Sequence, residues 1–185
     1  MNFNQINSFY FLGFDLKSLF ISSSTNNNTI CPTDMLNLND PSCRGQVPYQ
    51  YYSCYRMATS NILTIQFAFQ HDTMFGHWYF DDISVAQEDN IQLIINGGFE
   101  MNLTGWNVNI SSDSTPEMYI DTTTGLAHTG SAYFNGNSKN SSVYIEQTFN
   151  VTIGDYVHIS FWWGYDGGLN IGNTCQAIGQ LIPLF

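Results

Sequence analysis

Aromatic side chains make up 16% of this chain and recur beside hydrogen-bonding residues, a combination suited to holding a sugar. A pyranose stacks its C–H face on an aromatic ring while Asn, Gln and Asp take its hydroxyls. In Tyr156–Trp163, strand alternation places Val157, Ile159, Phe161 and Trp163 on one side and His158, Ser160 and Trp162 on the other. The first set reads as a core face. The second is half polar, which makes Trp162 the leading candidate for an exposed platform, with His158, Tyr144 and Tyr133 as its partners. The competing reading packs Trp162 under a loop. Trp106 and Trp163 read as core residues, and Trp78 is open between core and surface. Tyr49, Tyr51, Tyr52 and Tyr55 form either a second sugar-facing rim or a loop pinned by Cys54.

The residues that would carry catalysis lack the necessary spacing. His71, Asp72 and His77 lie close together but make no His-x-x-x-His pair. Cys43 and Cys54 belong to no Cys-x-x-Cys pair, and no Gly-x-Ser-x-Gly elbow occurs. Glycosidase chemistry needs two carboxylates roughly 5–10 Å apart, but with 15 acids available a pair of them is not diagnostic. His71, His77, His128 and His158 read as hydrogen-bonded structural residues. A non-catalytic protein is expected.

The elements that position these groups are strands. Short runs rich in Val, Ile, Thr, Tyr and Phe alternate with Gly, Asn, Ser and Asp turns. They fall at Ser8–Phe14, Ser18–Ser22, Ile62–Phe69, Trp78–Val85, Leu93–Asn96, Met118–Asp121, Ser131–Asn135, Val143–Val151, Tyr156–Trp163 and Ala177–Leu181. None has the spacing of a long amphipathic helix, so the expected class is all-β, an antiparallel sandwich or barrel.

Composition bounds the partners. Charged residues are 10% of the chain, against roughly 25% in an ordinary soluble domain. The polar surface must therefore be Asn, Ser, Thr, Gln and Gly, as in extracellular β-proteins. The net charge is −11, and the only cations, Lys17, Arg44, Arg56 and Lys139, do not cluster, which argues against nucleic acid as a partner. The acidic balance suits a cation such as Ca²⁺, although solubility alone is the simpler explanation. Cys31, Cys43, Cys54 and Cys175 form an even set open to three pairings. Asn27, Asn102, Asn109, Asn140 and Asn150 each open an Asn-x-Ser/Thr glycosylation sequon, consistent with an oxidising, extracellular setting. No signal peptide is visible, because Met1–Gln5 is uncharged and the apolar stretch Phe9–Phe14 is short. No run approaches the ~20 apolar residues of a membrane-spanning helix. A truncated chain or a piece of a larger protein is expected.

The chain divides near Ala86–Asn90. Trp78-Tyr79-Phe80-Asp81-Asp82-Ile83-Ser84-Val85 lies before the link, and Asn96-Gly97-Gly98-Phe99-Glu100 with Gly105-Trp106 lies after it. His128-Thr129-Gly130-Ser131-Ala132-Tyr133-Phe134, Glu146-Gln147-Thr148-Phe149, Gly154 and His158-Ile159-Ser160-Phe161-Trp162 follow in order. This series resembles the carbohydrate-binding-module-like, galactose-binding-like jelly rolls, well over Leu93–Gly168 and again over Leu63–Val85, but poorly over Met1–Met57. The resemblance implies a two-sheet antiparallel jelly-roll sandwich that binds a glycan or extracellular polysaccharide. It also implies a structural calcium held by Asp81, Asp82 and Glu100. Here the family's closing motif precedes its opening motif. Residues 1–88 would then be the C-terminal part of one repeat and 89–185 the N-terminal part of the next, folding together as a circularly permuted sandwich. The alternatives are a structural or adhesive extracellular repeat with no sugar site, or a fragment of a larger glycoside-acting protein.

Overall fold

Strand Tyr156–Tyr165 sets the architecture. Val157, Ile159, Phe161 and Trp163 are buried, while His158 and Trp162 lie half-open on its other side. The computed structural model describes residues 30–32, 34–39, 45–71, 76–123, 125–167 and 175–183. Among these residues eleven strands run in chain order: β1 Asp34–Asn39, β2 Val47–Met57, β3 Ile62–His71, β4 Trp78–Gln87, β5 Ile91–Gln92, β6 Asn107–Ile110, β7 Thr115–Asp121, β8 Tyr133–Lys139, β9 Val143–Asn150, β10 Tyr156–Tyr165 and β11 Cys175–Pro183. A single 3-10 turn, Glu88–Asn90, separates β4 from β5. The expected strands Ser8–Phe14 and Ser18–Ser22, and the sequon at Asn27, lie outside the described residues.

The strands form two antiparallel sheets, one of five strands in the order β1-β11-β3-β9-β6 and one of six in the order β2-β10-β4-β8-β7, with β5 appended to β4. The protein is thus an all-β sandwich. The sheets meet through rings. Phe67 of β3 packs on Phe80 of β4 at 4.8 Å and on Phe161 of β10 at 5.1 Å, and Phe69 packs on Phe134 of β8 at 5.0 Å. Each of these fully buried phenylalanines contributes ~1.5–3 kcal/mol by leaving water. Trp163 and Trp106 join this core as expected, and Trp78 joins it too.

Strands from the two sides of residue 88 alternate. β10 lies between β2 and β4, and β11 lies between β1 and β3. Among the described strands, none of β1 to β4 pairs with another of that group. Without the later strands, that part of the chain would be four strands without a ladder partner, eight open edges, which is costly for exposed backbone donors and acceptors. Cys31 and Cys54 form a disulfide that ties the approach to β1 onto β2, and Cys175 is also disulfide-bonded.

The segment expected as a strand at Leu93–Asn96 is not one. It crosses from the edge of β4 toward the other sheet and is held by side chains. Gln92 Oε1 accepts from the Val85, Leu93 and Ile94 amides. Gln147 brackets Ile95, accepting from its N–H and donating to its carbonyl. The motif that follows is a turn built around Asn96, at φ 56°. The Asn96 side chain accepts from Met101 N and donates to the Asn102 and Thr104 carbonyls, while its own carbonyl accepts from Trp106 Nε1. Gly97 is obligatory, since a Cβ there would sit 1.8 Å from the Ile83 carbonyl oxygen. The turn drives Phe99 into the core, stacked on Trp106 at 5.4 Å. Asn96–Trp106 thus acts as a structural plug.

Candidate functional site

The outer face of the six-stranded sheet carries the unusual chemistry. Its residues follow from strand parity and register. Tyr51, Trp162 and Asp81 pair across β2, β10 and β4, and Tyr133 pairs with Asp121 across β8 and β7. Next to these runs the row Tyr49, Gly164, Tyr79, Asn135, Tyr119. On the other side of the Trp162 row lies a row of small residues, Ser53, Ser160 and Ser84, and beyond that Tyr55, His158 and Ala86. Same-face neighbours along a strand are about 7 Å apart, so the serines form a shallow floor between two ring-bearing rows.

The rings form a continuous band. Tyr51 lies 5.1 Å from Trp162, Trp162 stacks on His128 at 3.9 Å, and His128 meets Tyr49 edge-on at 5.6 Å. Tyr49 lies 6.3 Å from Tyr79, which meets Tyr133 edge-on at 5.4 Å. Gly164, between Tyr49 and Tyr79, leaves the space in which those two rings approach. Beyond the serine floor His158 stacks on Tyr55 at 4.5 Å and hydrogen-bonds Ser53 Oγ at 2.7 Å. Burial lowers the pKa of His158, which favours its neutral form.

A bulge in β4 shapes this face. Between the Ser160–Ser84 and Trp162–Asp81 pairs the register shifts, so Asp82 and Ile83 together face Phe161, with Asp82 at φ 50°. The bulge keeps Ile83 in the core and aims both carboxylates at the loop that carries His128. Asp81 is fully buried and accepts from the amides of Asp82, His128 and Thr129. Asp82 takes His128 Nδ1 at 2.6 Å and Thr129 Oγ1 at 2.6 Å. Burial pushes the Asp81 carboxyl up to about 6, with the neighbouring Asp82 charge adding and the backbone hydrogen bonds opposing. Two acids therefore fix the imidazole on which Trp162 lies.

The sequence-derived candidates separate in space. Trp162 and His158 share this face and flank the serine floor. Tyr133 lies on the same face but is 1% exposed, its hydroxyl donated to Asp121 at 2.7 Å and its ring covered by Tyr79, so it supports the platform from within. Tyr144 does not join them. It projects from β9 on the outer face of the five-stranded sheet, opposite Asn109 and Ala68, because β9 pairs into that sheet. Glu100 binds the loop just after the His128–Thr129 segment held by Asp81 and Asp82, with Oε1 taking the amides of Ser131 and Ala132 and Oε2 the Ser131 hydroxyl. These hydrogen bonds hold its carboxyl below the usual range. The three acids implied as calcium ligands are thus engaged by protein donors. Among the described residues no group of three or more His, Cys, Asp and Glu gathers as a metal site. The sequon residues Asn102, Asn109, Asn140 and Asn150 are exposed, and Asn109 and Asn150 stand on strands of the other sheet.

Several residues of this face escaped sequence reasoning. His128 looked like one member of a small-residue turn. Asn135 and Asn137 are 4% and 0% exposed, with Asn135 Oδ1 and Asn137 Nδ2 unpartnered, and Tyr49 Oη is also unpartnered. Burial, aided by the Asp81 charge, raises the Tyr49 phenol pKa, which therefore stays a neutral O–H donor. At the start of β4, His77 sits between Asp166, at 3.4 Å, and Glu117, at 3.7 Å. The hydrogen bond to Asp166 raises the pKa of His77 against the opposing effect of burial. Among the described residues no helix is long and apolar enough to cross a membrane. The chain matches no family model, and searches of curated proteins and solved structures returned no match to it.

Proposed function

We propose that this protein is a non-catalytic extracellular carbohydrate-binding module whose saccharide lies across the outer face of the six-stranded sheet. The observation that carries this reading is the half-open Trp162, stacked on His128 and flanked by Tyr51, which is 49% exposed, beside the Ser53–Ser160–Ser84 floor. A sugar ring needs one apolar face to stack on and hydroxyl-sized partners beside it. The rings supply the first, and the serines, His158 and the orphaned Tyr49 hydroxyl supply the second. Preorganisation favours binding, because His128 is already locked by Asp81 and Asp82, so little side-chain freedom is lost when a ligand arrives.

An extracellular setting is supported by the disulfide and by exposed sequon asparagines, of which Asn109 and Asn150 stand on strands of the other sheet. The alternation of early and late strands supports a permuted jelly roll in which 1–88 and 89–185 complete each other. A structural calcium at Asp81, Asp82 and Glu100 would require these carboxylates to exchange their present donors for the metal, and a Ca²⁺-dependent rise in melting temperature would reveal it. A glycan array read with the wild type, Trp162→Ala and Tyr144→Ala tests the binding face. The expected result is binding that falls at least about tenfold, ~1.4 kcal/mol, in Trp162→Ala and is unchanged in Tyr144→Ala. Absence of any bound glycan, or binding indifferent to Trp162, would overturn the reading.

A further inference from the structure

The β7–β8 end of the same face has a different character. Tyr119, 44% exposed, and Glu117 stand on the outer side of β7. Opposite them on β8 lie the buried Asn135 and Asn137, with an acceptor, Asn135 Oδ1, and a donor, Asn137 Nδ2, unpartnered. Buried polar atoms left without partners are costly and rare in native proteins, so a pair of them beside an exposed ring marks a place where a ligand completes the bonding. Asn135 Nδ2 is already used, donating to the Tyr119 hydroxyl at 3.2 Å. The charge here is one-sided. Glu117, Asp121 and Asp166 lie on or beside this end, against His77, 3.7 Å from Glu117 and edge-on to Tyr119 at 6.2 Å, and Lys139, two residues beyond Asn137 on the same side of β8.

Resting on the binding face described above, we propose that this end is a subsite for an ammonium group, so that the bound saccharide contains 2-amino-2-deoxy sugar units. A tyrosine ring attracts a cation through its face, and a half-exposed carboxylate beside it adds a charge-assisted hydrogen bond. A neutral or N-acetylated unit gains neither. The orphaned Asn135 carbonyl accepts from the ammonium and the Asn137 amide donates to an adjacent hydroxyl.

The experiment is calorimetric titration of the full chain with three tetrasaccharides, a glucosamine tetramer, its fully N-acetylated counterpart and a neutral glucose tetramer, at a pH that keeps the amines protonated. The expected result is at least about tenfold tighter binding of the glucosamine tetramer, an advantage that shrinks with added salt. Glu117→Gln removes the advantage. Glu88→Gln, an exposed acid on the 3-10 turn, retains it and so separates the subsite from bulk charge. Equal affinity for the three, or an amine preference that survives Glu117→Gln in a variant melting like the wild type, overturns the subsite. In those cases Trp162-dependent binding would leave the module reading intact. If no saccharide binds, both readings fall.

Discussion

The two outer faces of this sandwich are built on the same ladder geometry but use their polar groups in opposite ways. On the five-stranded sheet, polar side chains pair with one another across strands. Thr64 meets Thr148 at 2.8 Å, Gln66 donates to Glu146 at 2.7 Å, and Asn109 donates to the same carboxylate at 3.0 Å. On the six-stranded sheet the corresponding positions hold rings and acids, and Tyr49, His77, Asn135 and Asn137 each retain a buried polar atom without a hydrogen bond. Self-paired polar ladders add modest stability and close a surface. Unpaired groups cost stability and have capacity left for a ligand. The contrast is the reason the proposed site is placed on the six-stranded sheet.

Four experiments press on that contrast. The largest effect is expected from the core the faces share. Phe67→Ala, which removes the ring contacting both Phe80 and Phe161, should cost about 3–5 kcal/mol in denaturant unfolding and loosen both faces together. Loss of only one sheet's protection in hydrogen exchange would show that the faces are not coupled through it.

The pH dependence of stability comes next. Between its unfolded value of 3.8 and its folded value of about 6, Asp81 holds a proton in the folded chain that it lacks in the unfolded one. Stability contributed by Asp81 should therefore rise as pH falls from about 7 to 5, by roughly 1.3 kcal/mol. His77, also raised, acts with the same sign, since its stabilising proton is lost as pH rises through its folded value. Asp81→Asn should flatten part of this slope in melts taken across that range. A slope unchanged by the substitution would remove Asp81 from the argument. A third, smaller effect belongs to the ladder face, where Thr64→Val should cost about 1 kcal/mol and leave glycan affinity untouched. The smallest is expected from Asn109→Gln, which removes a sequon on that same face and should change binding by less than about twofold.

Particular residues explain what could be seen in advance. The faces of β10 were readable because period-2 alternation is strict from Tyr156 to Trp163, which placed Trp162 and His158 correctly. The sequence reads β2 as a tyrosine rim or a loop pinned by Cys54 rather than as a strand, since tyrosine occurs at outward positions, Tyr49, Tyr51 and Tyr55, and at the inner position Tyr52, which leaves no apolar alternation. Desolvation there pushes the Tyr52 phenol up to about 12. The β4 bulge was invisible, because Asp82 adopts a positive φ without the glycine that usually signals one. That hidden bulge aims Asp81 and Asp82 at the loop of His128, a contact the sequence does not predict. Tyr144 was misplaced because strand parity fixes a side relative to its neighbours but not the sheet into which a strand pairs.

Hydrogen–deuterium exchange across the whole chain, with and without a saturating saccharide identified on the array, asks most directly whether the six-stranded face is the binding surface. New protection should appear in β2, β4, β8 and β10 and in the loop carrying His128, with β3, β9 and β11 unchanged. Protection confined to β3, β9 and β11 would place the ligand on the self-paired face and contradict the assignment.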